Sequence, residues 1–161
     1  MVAEIVPGDL DAVVMQFSAE HTLASVLTRW FTHSAFSHVD LVLPDGRLLG
    51  ARPAGGVQIR PPDYARFYRV LQLLMRTPLA ARHYRYALSQ VGKPYDWRAV
   101  IGFLLPSRDW RDENAWFCSE LVAATFDGTR DRLVHLVGRD EPITRVTPND
   151  LLISPRLEGP P

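Results

Sequence analysis

Apolar positions along this chain follow two spacings, and proline or glycine marks most of the points where one gives way to the other. "PGDLDAVVMQF" opens with a turn at Pro7-Gly8-Asp9, and the apolar, partly β-branched "AVVMQF" after it predicts a short strand. Ser18 is a candidate N-cap for a helix over 18–31, in which Leu23, Val26, Leu27 and Trp30 recur at helical spacing. "SHVDLVL" then returns to a period of two: Val39, Leu41 and Leu43 share one strand face, and His38, Asp40 and Val42 share the other. "PDG" predicts a hairpin turn and "RLLGA" the returning strand. A turn at "RPAGG", a third short strand "VQIR", a break at "PPDYA" and a strand "FYRVLQLL" follow.

The second half reads mainly as helix. Thr77 is placed as N-cap and Pro78 at the first helical position of a helix carrying Leu79, Tyr84, Ala87, Leu88 and Val91, which stops at Gly92. "RAVIGFLLP" is a short apolar element, read as helix, and "SRDWRDENAW" is a polar loop. A helix then starts at Cys118, and "VTPNDLLIS" repeats the Thr-Pro helix start. With no internal repeat and no domain boundary in view, the pattern predicts one α+β domain over 1–161. A small antiparallel sheet or partial barrel would pack against the flanking helices.

Composition narrows the function classes. The 161 residues suffice for one domain with a real core, and the 22% of charged residues is ordinary for a globular protein. Eighteen basic residues balance eighteen acidic ones, so no global field recruits nucleic acid or anionic lipid. One cysteine cannot form an internal disulfide. The N-terminus lacks the pattern of a signal peptide and no stretch reaches the ~18–20 apolar residues of a membrane span, so the cytoplasm is the default expectation.

Candidate chemistry centres on that cysteine. Cys118 opens a helix, where unpaired backbone N–H groups and the macrodipole favour thiolate. A lone cysteine is also commonly a packed core atom. His38 shares a strand face with Asp40, and a strand histidine opposite a cysteine helix is the geometry of a Cys–His dyad; an edge histidine with a purely structural bond is the alternative. In "GKPYDW" a proline-fixed turn presents Tyr95, whose phenol is able to donate to an oxyanion.

Taken in order, "PGDL", "SHVDLVLPDGRLLGA" with the following "GGV", "GKPYDW", "FCSELV" and "TPNDLL" resemble the permuted NlpC-type, papain-like cysteine hydrolases. The YiiX/YebB-like group is the branch resembled, with lecithin retinol acyltransferase-like enzymes as more distant relatives. The resemblance runs from Pro7 to about Leu152, and His38 preceding Cys118 matches the permuted order. It implies Cys118 as nucleophile, His38 as general base, and Tyr95 with the Cys118 backbone N–H at the oxyanion. Many permuted members carry a polar residue, often Glu, on the strand after the hairpin, and here Gly50 or Ala51 falls at that place. Asp40 and Gln58 are the candidates for orienting His38 instead.

The expected function is a cysteine-dependent hydrolase of amide, peptide or acyl bonds, acting on a peptide, a peptidoglycan fragment or an acyl lipid without cofactor or metal. The rivals are a non-catalytic binding module that keeps the fold and a lipid acyltransferase-like enzyme. His21, His33, His83 and His135 show no metal-ligand spacing. Glu120, in the first turn of the cysteine helix, reads as a cap. The arginines of "RFYR" and "ARHYR" read as solvated faces, and Trp97, Trp110 and Trp116 as core or cleft wall.

Overall fold

Period-two segments become strands here, and each strand lies antiparallel to its neighbours. The computed structural model describes residues 10–97, 115–127, 131–133 and 146–159. In chain order the elements are β1 (Ala12–Glu20), α1 (Leu23–Thr32), β2 (His38–Val42), β3 (Leu48–Arg52), β4 (Gly56–Arg60), a 3-10 turn (Tyr64–Arg66), β5 (Phe67–Arg76), α2 (Ala80–Ser89), α3 (Cys118–Phe126) and α4 (Pro148–Leu152). The five strands form one sheet in the order β4-β3-β2-β1-β5. The mixed α/β architecture expected from the pattern is therefore present. The apolar element "RAVIGFLLP", Trp110 and His135 lie outside the described residues.

Strand alternation divides the sheet into two faces. Val13, Met15 and Phe17 of β1, Val39 and Leu41 of β2, and Leu49 and Ala51 of β3 point into one buried cluster with Tyr84 of α2 and with Leu121, Val122 and Phe126 of α3. Truncating a side chain such as Phe17 to alanine there costs roughly 3–5 kcal/mol. Tyr84 adds a polar anchor. Its hydroxyl donates to the Val42 carbonyl at 2.7 Å and accepts from the Val14 N–H at 3.0 Å, between two strand positions that face each other in the β1–β2 register. Next to Tyr84 in α2, buried His83 bridges the Thr125 carbonyl and Asp131, and Asp131 also takes the Thr77 hydroxyl.

Three local expectations shift. Ser18 is not a helix cap: it pairs with His38 on one side and Val70 on the other, and two-sided ladder pairing outweighs a local cap. α1 starts later, with Thr22 as N-cap accepting from the Ser25 N–H. Its apolar stripe also faces outward, Leu23 being 74% and Trp30 68% exposed. The opposite face supplies the reason. Ser25 accepts from the Glu20 N–H and bonds Ser37 Oγ at 2.7 Å, which turns the helix polar side in. At the third place, Thr77 and Pro78 lie three and two residues ahead of α2, whose N-cap is Leu79, and Thr77 Oγ1 accepts from the Leu79 N–H. The second Thr-Pro start behaves as expected, with Thr147 capping α4 and Asp150 returning the bond to the Thr147 N–H at 2.8 Å.

Candidate active site

The other face of the sheet is polar at one end. By the strand register Gln16 lies opposite Asp40 and Ser18 opposite His38 on β1 and β2, while β3 and β4 contribute Gly50, Arg52 and Arg60 on the same side. His38 Nε2 meets Asp40 Oδ1 at 2.8 Å, and both side chains are buried. This bond leaves Nδ1 as the ring nitrogen free of Asp40. Of the two candidates for orienting His38, Asp40 is therefore the one in contact. Gln58 donates instead to the Ala54 carbonyl at 2.7 Å, within the β3–β4 turn.

Gly50, where a carboxylate was expected, has a different use. A Cβ built on it would lie 1.9 Å from Asp40 Oδ1, so a side chain at 50 and the Asp40 carboxylate cannot coexist as placed. The bare glycine also lets Arg60 of β4 reach across β3 to Asp40 Oδ2, at 2.5 Å. Arg52 lies 3.8 Å from the same oxygen and binds Glu20 Oε1 at 2.6 Å. Sequence reading missed this network. Its available signal was parity, since Arg52 follows Gly50 by two and Arg60 follows Gln58 by two. The strand order that brings Arg60 to Asp40 is not written in either segment.

Cys118 approaches from the apolar side, at the N-terminus of α3. The β2–β3 ladder covers Leu41–Leu49 and Val42–Leu48, ahead of which the start of β2 runs without β3 partners. There Cys118 lies beside the backbone N–H groups of Val39 and Ser119, both of which favour its thiolate. The sulfur thus rests against the residue that follows His38. Glu120 accepts from the Phe117 N–H at 3.3 Å, the capping role its position suggested.

Burial dominates the titration of these groups. It pushes the Cys118 thiol up to about 12, Asp40 adds to that, and the two backbone N–H groups and Arg52 pull the other way. The thiolate expected from the helix N-terminus alone is therefore not the resting form. Burial also lowers His38 below its ordinary 6.5, against the pull of Asp40 and with help from Arg52 and Arg60. Asp40 itself would be raised by burial, but His38, Arg60 and Arg52 outweigh this and hold it below the usual carboxylate range. At neutral pH the pair is a neutral thiol and a neutral imidazole beside an ionised carboxylate.

Tyr95 reaches the same region by backbone docking. The Val57 N–H donates to the Lys93 carbonyl and the Gly92 N–H to the Val57 carbonyl, each at 2.9 Å. Tyr95 also bridges Trp116, two residues before Cys118. Its ring packs 6.0 Å from Phe117 and 5.2 Å from Trp97. Burial, then the proximity of Cys118, raise its phenol far above the ordinary value, so it stays protonated as a donor. Trp97 is exposed rather than core, and Trp116 donates to Gln90 Oε1 at 3.2 Å.

No family model matches this chain, and no curated protein matches it. Among solved structures it is similar to the crystal structure of the metalloprotein yiiX from Escherichia coli O157:H7. The TM-score is 0.65 over 93% of this chain and 96% of that one, at 16% sequence identity. The chain has a YiiX-like fold.

Proposed function

We propose that this protein is a thiol hydrolase of amide, peptide or acyl bonds, built on a permuted NlpC-type papain-like fold. The observation that carries the reading is a helix-opening cysteine set beside the backbone of Val39, the residue after His38, whose ring is held by Asp40 through Nε2. The chemistry runs through a neutral pair. As the Cys118 sulfur attacks the carbonyl carbon, its proton passes to His38 Nδ1 and the imidazolium is held by Asp40. The carbonyl π bond opens to an oxyanion, with the Tyr95 hydroxyl and the Cys118 backbone N–H as donors. His38 then returns the proton to the departing amine or alcohol as the C–N or C–O bond breaks. Water, giving a proton to His38, adds to the thioester carbonyl; the C–S bond then breaks, the acid leaves, and His38 returns the proton to the Cys118 sulfur.

A metal does not fit this arrangement. The neighbour yiiX is described as a metalloprotein. Among the described residues of this chain, however, no three His, Cys, Asp or Glu side chains group closely enough to hold an ion. Both Asp40 oxygens are engaged, Oδ1 by His38 and Oδ2 by Arg60.

One observation favours a non-catalytic binding module: Cys118 is 1% exposed. Incubation with p-nitrophenyl acetate followed by intact-mass measurement separates the readings. One acetyl adduct on Cys118 is expected, absent in Cys118→Ala and slowed by about 10²–10⁴-fold in His38→Ala, as befits loss of a general base. A folded protein that never acquires the adduct is a binding module. An adduct released to an added alcohol or amine faster than to water marks an acyltransferase.

A further inference from the structure

Catalytic orientation of His38 depends on where the Asp40 carboxylate sits, and that carboxylate is held from two strands away. We propose that Arg60, backed by Arg52, is the positioning residue of this site, pinning Asp40 in the space over Gly50 so that Oδ1 stays on His38 Nε2. The inference rests on the hydrolase reading and adds a part to it.

Three observations carry it. Arg60 Nη2 binds Asp40 Oδ2 at 2.5 Å, so the two carboxylate oxygens are divided between the arginine and the histidine. A charge-assisted bond of this kind fixes direction as well as charge. The Asp40 side chain is fully buried, so water does not compete for it. Finally, Gly50 is the only residue type that leaves the carboxylate its place, because a Cβ there would come within 1.9 Å of Oδ1. Arg52 closes the arrangement, bonded to Glu20 on β1 and 3.8 Å from Asp40.

The groups facing His38 act on its titration in opposite senses. Asp40 raises its pKa, and Arg52 and Arg60 lower it. Glu20 is ion-paired with Arg52 and Arg66, and Cys118 and Tyr95 are protonated in the resting state. Removing Arg60 and removing the Asp40 charge therefore move the histidine in opposite directions, a pattern that loss of packing alone does not produce. The crowding at Gly50 has a corollary: a carboxylate planted at 50 enters the space that Asp40 vacates.

Iodoacetamide alkylation of the full chain tests this, since Cys118 is its only thiol. Rates are measured against pH, beside an NMR titration of the His38 ring. Arg60→Met is expected to slow alkylation near neutral pH by about tenfold and Arg60→Lys to restore most of it, because a lysine keeps the charge but not the fork. The His38 titration moves up in Arg60→Met and down in Asp40→Asn. Asp40→Gly is expected to lose the rate, and the exchange Asp40→Gly with Gly50→Asp to recover much of it. Should Arg60→Met fail to fold, Arg60→Gln carries the same expectation. A folded Arg60 variant with unchanged rate and unchanged His38 titration overturns the proposal, as does an exchange chain no better than Asp40→Gly. If His38→Ala leaves the alkylation profile unaltered, the hydrolase reading fails instead.

Discussion

At the scale of single residues, two glycines make room for the groups of the candidate site. Gly50 clears the space for Asp40, and Gly56 does the same for the turn that presents Tyr95. At Gly56 the backbone has φ 66°, and an added Cβ would lie 2.2 Å from the Lys93 carbonyl oxygen. Gly56→Ala is expected to cost about 1–3 kcal/mol in urea unfolding, from left-handed strain plus the displaced turn. It should also slow acetylation of Cys118 by moving Tyr95. A second expectation concerns the thiol. With Cys118 pushed up to about 12, direct thiolate alkylation rises only in strong alkali, and the proposed mechanism makes reactivity at neutral pH depend on His38. That neutral-range limb should titrate below 6.5, because the histidine must be unprotonated to act as base and its pKa is lowered. A pH–rate profile of alkylation in the native chain and in His38→Ala checks both points.

Elements show which parts of the fold were legible beforehand. Period-two alternation put His38 and Asp40 on one face, and the structure has them 2.8 Å apart. The strands at "RLLGA" and "VQIR" were equally plain, because β-branched and apolar residues bounded by glycine and proline leave little choice. The direction of α1 was not legible. Helical spacing shows that a stripe exists, but which side turns inward was decided by Ser25 and its bonds to Glu20 and Ser37. Substituting Val26 and Leu27 by serine should accordingly shift stability by less than about 0.5 kcal/mol each, as at ordinary surface sites. Tyr84→Phe should cost about 1–3 kcal/mol by leaving the Val14 N–H and Val42 carbonyl without the hydroxyl between them. Urea titrations of the three variants rank these effects. The Arg60–Asp40 contact was hidden for another reason: it depends on sheet order, and neither β2 nor β4 carries that order in its own residues.

For the whole molecule, the buried network ties stability to pH. Unfolded His38 takes a proton near its ordinary 6.5, while in the folded chain its pKa is lower, so the unfolded state binds more protons as acid is added. Its contribution is complete above about 6.5 and is lost as the pH falls towards the folded value. Asp40 and Asp131, both lowered from 3.8, add a second loss at more acidic pH. Urea midpoints should therefore decline between pH 8 and pH 5, and His38→Gln should flatten that part of the curve. No helix among the described residues is long and apolar enough to cross a membrane.

The crowding of positions 40 and 50 also bears on descent. A chain with carboxylates at both places forces two anions into one space, and a chain with neither leaves the histidine unguided. Moving the acid from 40 to 50 one substitution at a time would thus pass through a chain with two carboxylates in one space or a chain with none, so the two positions would have to change together. Comparison column by column would score a chain so altered as lacking an acid, whereas superposition would find its carboxylate in the same space.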